Sequence, residues 1–191
     1  MRIHFLNFLV FFLLFQSIKG QDKFPPVDKS PLDISYCPTN YPILKVQAQL
    51  MDPLIARVIY SRPGKNGRNI FCDLIEYSKV WRMGANEATE IEFFEDVIIN
   101  ATKIKKGRYS MCVIPFEDKW TIIINKETDT WGTFMYNVKN DVVRMDVPVE
   151  VLSQPIESLS IYFELKKNNV QMNIAWDNVK VTFPFTYVKR K

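Results

Sequence analysis

The sequence of 191 residues is poor in the side chains that carry most catalytic and metal-binding chemistry. It has three cysteines and a single histidine, His4, which lies at the extreme N-terminus. Beyond His4 there is no imidazole, which excludes Ser-His-Asp and Cys-His catalysis and histidine-ligated metals from the rest of the chain. The cysteines show no CxxC or other metal-ligand spacing. We therefore predict no cofactor and no metal site.

Long apolar runs are also scarce. Residues 5–15 are apolar apart from Asn7, a run well short of the roughly 20 residues that a membrane-spanning helix needs. Arg2 precedes this run and Gly20 follows it, which is the layout of a secretory signal peptide. We predict cleavage after Gly20, a secreted or periplasmic protein, and no stable membrane insertion after cleavage. The alternative is an uncleaved anchor helix over residues 1–20.

The sequence lacks a strong excess of either charge. Arg2 and Lys19 would leave with the signal peptide, so 23 basic residues would face 21 acidic ones, a net charge of +2. Binding driven by phosphates needs a concentrated positive surface. We therefore predict that nucleic acid is not a partner.

After the signal peptide the chain divides into two parts. Five prolines and no periodicity mark residues 21–43 as an extended, Pro-rich N-terminal arm. Residues 44–191 have the length of one domain with a sizeable core. We found no internal repeat and no low-complexity tract in that domain.

Alternation of apolar and polar residues dominates the domain and predicts strands, because successive side chains of a strand point to opposite faces. Residues 143–151 and 159–165 alternate, and so do residues 170–176 and 179–185 on either side of an Asp-Asn turn signal. We interpret residues 159–185 as a three-strand meander. Further strand candidates are residues 45–51, 56–61, 88–94, 108–114, 120–125 and 132–136. The prediction is an all-β, single-domain antiparallel β-sandwich or jelly roll of nine or ten strands, with a lipocalin-like β-barrel as the alternative.

Several separated motifs resemble one known family. They are YSRP at 60–63, GRNIF at 67–71, VWRMGANEAT at 80–89, GRYS at 107–110, WTIIINK at 120–126, WG at 131–132 and AWDN at 175–178. Their order over residues 45–185 resembles the bacterial family called domain of unknown function 2911 (DUF2911). The resemblance implies an exported or envelope-associated, β-rich protein without an established activity.

The polar stretch between residues 60 and 89 is the candidate binding site. Arginine binds carboxylates through its planar fork, tryptophan offers a stacking face, and Asn and Glu supply donors and acceptors. Gly84 would let the backbone approach closely. The alternative is a polar clamp in which the arginines pair with Glu76, Glu87 or Glu90. The candidate ligand-binding residues are Arg62, Arg68, Trp81, Arg82, Asn86 and Glu87.

Cysteine pairing and tryptophan exposure complete the expectations. Cys72 and Cys112 fall in strand-like segments and are the pair that would form a disulfide, with three free thiols as the alternative. Cys72 also stands where the pattern of the resembled family favours glycine. Trp120 and Trp176 are predicted core residues, whereas Trp131, beside a turn glycine, is predicted to be exposed.

Together these observations predict a non-catalytic module that binds a polar small molecule, a glycan or a peptide, in the cell envelope or outside it. One alternative is a carboxylate-based glycan hydrolase that uses Glu76 or Glu87 with Asp177. Another is a structural scaffold in an envelope assembly.

Overall fold

Nine β-strands are the main elements of the computed structural model, which describes residues 24–50 and 52–188. The predicted signal peptide lies outside the described residues. Besides the strands there is a helix of six residues, α1 (Tyr41–Val46), and a 3-10 turn at Val138–Asn140. The all-β prediction is confirmed. The strands are β1 (Leu32–Cys37), β2 (Ala56–Ser61), β3 (Thr89–Phe93), β4 (Val97–Ile99), β5 (Thr102–Ile104), β6 (Gly107–Pro115), β7 (Lys119–Asn125), β8 (Asp141–Lys166) and β9 (Asn169–Tyr187).

All nine strands belong to one open sheet with the order β1-β2-β3-β6-β7-β8-β9-β4-β5, and every pair is antiparallel. Two unusually long strands, β8 with 26 residues and β9 with 19, bend this sheet into two layers. The first part of β8, up to Pro148, pairs with β7, and its second part, from Val149 on, pairs with β9, with register shifts on both sides of Ile156. The sheet therefore turns back on itself, and β1 comes to lie beside the second part of β8.

Side chains in the first two strands, or directly after them, bridge the gap between β1 and β8. Ser35 Oγ donates to the carbonyl of Ile161 at 2.5 Å, and Thr39 Oγ1 donates to the carbonyl of Phe163 at 2.6 Å. The hydroxyl of Tyr60 accepts the amide of Ile161 at 3.1 Å. These bonds satisfy backbone groups that would otherwise form an unpaired strand edge. We call this contact the seam; its side chains are Ser35, Thr39, Tyr60 and Arg62.

The interior between the layers is filled by inward-facing residues of the alternating strands. Trp120 and Trp176 are almost completely buried, which confirms their prediction as core residues. Phe93 on one layer meets Phe185 on the other with ring centroids 5.5 Å apart, in an edge-to-face arrangement that aromatic rings prefer. The core is therefore continuous from one layer to the other.

The predicted meander is wrong in one respect. Residues 170–185 belong to the single strand β9, so the chain does not reverse at Asp177 and Asn178. Asp177 instead has a left-handed backbone with φ of 54° and lies where the ladder between β8 and β9 is irregular. Its carboxylate bonds to Lys65 and to the amide of Ile70, which lie outside the strand pair. The Asp-Asn signal therefore marks a bulge and not a turn.

Three further segments differ from their sequence-based interpretation. The N-terminal arm supplies β1, which pairs with β2 along its whole length. Residues 45 and 46 belong to α1 and not to a strand; Pro42 stands in the first helical turn, where its missing N–H leaves no bond unmade. Residues 132–136 form turns in place of the predicted strand.

Candidate functional site

The candidate segment, residues 62–88, connects β2 to β3 and contacts strands from both layers. It bridges β8 at Gly64 and Ser158, and it bridges β6 at Trp81 and Val113. Thr89, the first residue of β3, pairs with Met111 of β6, and Trp81 pairs with Val113, farther along β6 beyond the start of β3. The segment is therefore a structural part of the sheet as well as a loop.

Arg62 forms the centre of the seam. Its Nε donates to the carbonyl of Leu159 at 3.1 Å, one terminal nitrogen donates to Asp33 at 3.0 Å, and the other donates to Ser160 Oγ at 2.9 Å. The guanidinium therefore links β1 and the end of β2 to β8. Its partner Asp33 lies in the N-terminal arm, and none of the glutamates expected as partners takes this position.

Lys65 and Asp177 form a second link between the segment and β9. Their side chains are 2.7 Å apart and only 19% and 14% exposed. The other carboxylate oxygen of Asp177 accepts the amide of Ile70 at 3.4 Å. Arg68, by contrast, is exposed, and within the described part of the chain its guanidinium donates only to carbonyls of its own loop, those of Gly64 at 2.6 Å and Lys65 at 3.0 Å.

Trp81 lies in the core and does not present a stacking face to solvent. It is 5% exposed and its indole N–H donates to the carbonyl of Gly84 at 3.0 Å. Its ring stacks on Trp176 at 5.9 Å and meets Trp120 edge-on at 5.9 Å. The stacking face expected to meet a ligand is thus covered by another tryptophan.

Gly84 and Ala85 approach β2 closely, as predicted for Gly84. The hydroxyl of Ser61 donates to the carbonyl of Ala85 at 2.6 Å and accepts its amide at 2.5 Å. A Cβ on Gly84 would lie 2.8 Å from Ser61 Oγ. Because real Cβ atoms do not approach so closely, this position requires glycine.

Asn86 and Glu87 lie next to the loop between β7 and β8. The Asn86 carbonyl accepts the amide of Gly132, and its side-chain amide donates to Asp28 at 3.0 Å. Glu87 forms an isolated β-bridge with Trp131, and its side chain is exposed. Glu87 is the most accessible member of the VWRMGANEAT block.

Arg82 is half-buried, and burial lowers the pKa of its guanidinium. Its Nε is buried without a hydrogen-bond partner among the described residues. The six predicted ligand residues are therefore distributed among the seam, the aromatic core and two exposed loops. They do not all face one opening, because Trp81 is enclosed and Arg62 is committed to β8.

A concavity of about 600 Å³ lies beside the first part of the segment. One wall is formed by Lys65, Asn69, Phe71 and Tyr77 of the segment. The other is formed by the bend of β8 and by β9. Burial raises the pKa of Tyr77, and the neighbouring Cys72 and Glu117 raise it further. The remaining lining residues are Ile70, Glu117, Val149, Val151, Leu152, Ser153, Pro155, Asp177, Asn178 and Val179.

Comparison with known proteins identifies the family. The profile of the family described as "Protein of unknown function (DUF2911)" matches residues 43–185. The chain belongs to this family. No curated protein and no solved structure matches it.

In this DUF2911 protein, motifs that are far apart in the sequence meet around the segment. The VWRMGANEAT, WTIIINK and AWDN motifs each supply one tryptophan of the buried trio, Trp81, Trp120 and Trp176. Phe71, from the GRNIF motif, packs on Trp120 with ring centroids 5.4 Å apart. The motifs therefore build the core beneath the concavity.

The cysteines of the DUF2911 protein are free thiols. Cys37 and Cys112 are buried, whereas Cys72 is exposed, so the pair Cys72 and Cys112 is not bridged. Burial raises the pKa of both Cys37 and Cys112 to about 12. Cys72 has a φ of 80°, a backbone conformation that glycine adopts more readily than other residues.

Two general features of the DUF2911 protein concern metals and membranes. Within residues 24–50 and 52–188, no three His, Cys, Asp or Glu side chains are grouped so that they could hold a metal ion. No helix in the same ranges is long and apolar enough to span a bilayer.

Sequence reasoning missed most of the lining of the concavity. Tyr77, Glu117 and Asn178 come from three separate parts of the chain. The signal that could have located them was the Asp-Asn pair at 177 and 178, which was interpreted only as a turn.

Proposed function

We propose that this protein is an exported, non-catalytic module that binds a polar ligand, a glycan or a peptide, in the cell envelope or outside it. The observation that carries the proposal is the concavity of about 600 Å³. Its volume lies in the range of sites that enclose a small molecule. The concavity lies between the segment and the bend of β8, so each of its two walls belongs to a part of the fold that is held in place.

The chemistry of the lining favours a glycan. Phe71 and Tyr77 contribute aromatic rings, and Asn69 and Asn178 contribute amides that can donate and accept. Aromatic faces suit the apolar faces of sugar rings, and amides suit vicinal hydroxyls. The Lys65 and Asp177 pair holds one wall in place, because each side chain contacts the other at 2.7 Å.

The test is a ligand-induced shift in melting temperature measured with panels of soluble oligosaccharides and peptides. We expect at least one oligosaccharide to raise the melting temperature, because a ligand that binds only the folded state stabilises it by mass action. Asn178→Ala should abolish the shift and leave the unliganded melt unchanged, since Asn178 is exposed. The matched control is Asn168→Ala, an exposed asparagine outside the concavity, which should keep the full shift.

Two results would contradict the proposal. If no panel member shifts the melt, the scaffold alternative is preferred. If Asn168→Ala and Asn178→Ala weaken binding equally, the ligand does not occupy this concavity.

The hydrolase alternative has one observation in its favour. Two carboxylates, Glu117 and Asp177, line the same concavity, whereas Glu76 and Glu87 do not. Against it, both oxygens of Asp177 are engaged, one with Lys65 and one with the amide of Ile70. A catalytic carboxyl group must be able to meet the glycosidic bond or a water beside it. Release of reducing ends that is lost in Asp177→Asn would replace binding with hydrolysis as the proposed function.

A further inference from the structure

The charged side chains that line the concavity do not balance. They are Lys65, Asp177 and Glu117. Lys65 and Asp177 neutralise each other, because their side chains are 2.7 Å apart and largely buried. Glu117 is exposed and has no ion pair among the residues that the structure describes. The lining therefore carries one unmatched charge, and that charge is negative.

The charges next to the lining do not offset Glu117. Within two residues of the lining, Lys119 pairs with Asp146 and Lys180 pairs with Glu150. Acids outnumber bases among the charged residues there that have no ion pair in the described part of the chain. The acids are Asp73, Glu76, Glu117, Asp118 and Glu157, and the bases are Arg68 and Lys79. The surface around the concavity therefore favours cations over anions.

Glu117 lies beside the aromatic ring of Tyr77. The amide of Ser78 donates to the carbonyl of Pro115 at 2.9 Å, which holds the segment against the turn between β6 and β7. Burial raises the pKa of Tyr77, and the nearby carboxylate of Glu117 raises it further. The phenol is therefore uncharged at neutral pH, and the concavity has an aromatic ring next to a carboxylate.

We propose that the glycan bound in the concavity is an oligosaccharide of amino sugars with free ammonium groups, one of which contacts Glu117 and Tyr77. This inference rests on the proposed function and specifies its ligand. A carboxylate forms charge-assisted hydrogen bonds with an ammonium group, and the face of an aromatic ring attracts a cation. The side-chain amide of Asn178, which lines the same concavity, serves hydroxyl groups of the sugar.

The unmatched carboxylate distinguishes between classes of sugar. A neutral or N-acetylated sugar would cover Glu117 without a counter-charge, and removing a carboxylate from water costs free energy unless it is paired. An acidic sugar would bring a second negative charge to the same place, where like charges repel. An ammonium group is the sugar substituent that gains from Glu117.

The experiment is calorimetric titration of the full chain with two matched probes. One is the β-linked tetramer of glucosamine, and the other is the tetramer of N-acetylglucosamine, in which each amine is neutralised. The titration is done at mildly acidic pH, so that the sugar amines are protonated. We expect the glucosamine tetramer to bind about fivefold more tightly, which is the effect of one exposed ion pair. Added salt should reduce this preference, because salt screens exposed charges.

Two variants connect the preference to the concavity. Glu117→Gln should weaken binding of the glucosamine tetramer and bring the two dissociation constants together. It changes an exposed side chain, so its melting temperature should equal that of the unmodified chain. The matched control is Glu76→Gln, which removes an exposed carboxylate of the same segment outside the lining and should keep the preference.

Four results would overturn the inference. If the two tetramers bind equally, or if Glu117→Gln keeps the preference, the protein still binds a glycan but not through an ammonium group. If Glu76→Gln loses the preference as fully as Glu117→Gln, an acidic surface attracts a polycation without a specific contact. If tetralysine binds more tightly than the glucosamine tetramer and depends on Glu117, the ligand is a peptide. If no oligosaccharide binds, the proposed function fails together with this inference.

Discussion

Replacement of Arg62 by alanine distinguishes a clamp from a ligand-binding residue. The change removes donors to the carbonyl of Leu159, to Ser160 and to Asp33. Leu159 is fully buried, so its carbonyl would lose this donor in a place that water does not readily reach. The clamp role therefore predicts a loss of folding stability even when no ligand is present.

The expected loss of unfolding free energy follows from the three bonds that Arg62 donates. Each of the hydrogen bonds to Leu159 and Ser160 contributes about 0.5–1.5 kcal/mol. The side chains of Arg62 and Asp33 are 39% and 41% exposed, so their ion pair adds no more than about 1 kcal/mol after screening. We expect Arg62→Ala to lower the free energy of unfolding by about 2–3 kcal/mol and the melting temperature by about 5–10 °C.

The assay is urea unfolding followed by tryptophan emission, with Arg68→Ala as the matched control. Arg68 is exposed and bonds only within its own loop, so its loss should cost under about 0.5 kcal/mol. Arg62→Lys should fall between the two, because lysine keeps the charge but not the planar fork. If Arg62→Ala unfolds at the same urea concentration as the unmodified chain, the clamp role is wrong.

Three further predictions concern glycine, thiol and acid chemistry. Gly84→Ala should destabilise the fold by about 1–3 kcal/mol in the same urea assay, because the new Cβ would lie 2.8 Å from Ser61 Oγ; a loss that Ser61→Gly does not relieve would refute this cause. A maleimide reagent should label only Cys72 in the folded protein and all three cysteines in urea, with mass spectrometry as the readout, and rapid labelling of a second thiol would contradict it. The backbone N–H of Lys106, and then neighbouring lysines, hold the pKa of Asp96 at about 2, below its ordinary 3.8. Its contribution to stability is therefore present above pH 4 and lost as the pH falls toward 2. We expect the free energy of unfolding of Asp96→Asn to fall less between pH 4 and pH 2 than that of the unmodified chain.

The sequence predicts closely those strands that are short apolar segments with β-branched residues and turn signals at both ends. Residues 56–61 and 120–125 illustrate this, because β2 has the predicted bounds and β7 begins one residue earlier. The prediction was wrong where a local signal served a distant contact. The Asp-Asn pair at 177 and 178 is a good turn signal, but the ion pair with Lys65 fixes it as a bulge within β9.

The candidate site was harder to predict than the fold, because side-chain roles depend on partners far away in the sequence. Arg62 was considered as a clamp residue that pairs with a glutamate, yet its carboxylate partner Asp33 belongs to an arm that showed no periodicity. Trp81 was proposed for stacking, and it does stack, but on Trp176 inside the core. No local pattern distinguishes an indole that faces solvent from one that faces another strand 95 positions later.

The seam has a consequence for how the chain folds during synthesis. Ser35 bonds to a residue 126 positions later, and Thr39 to one 124 positions later. Loops of this length close late, because their closure entropy is lost before the contact is gained. The two layers therefore cannot join until the second part of β8 has left the ribosome, so a nascent chain that ends before β8 keeps the β8-facing side of β1 and β2 accessible to a chaperone.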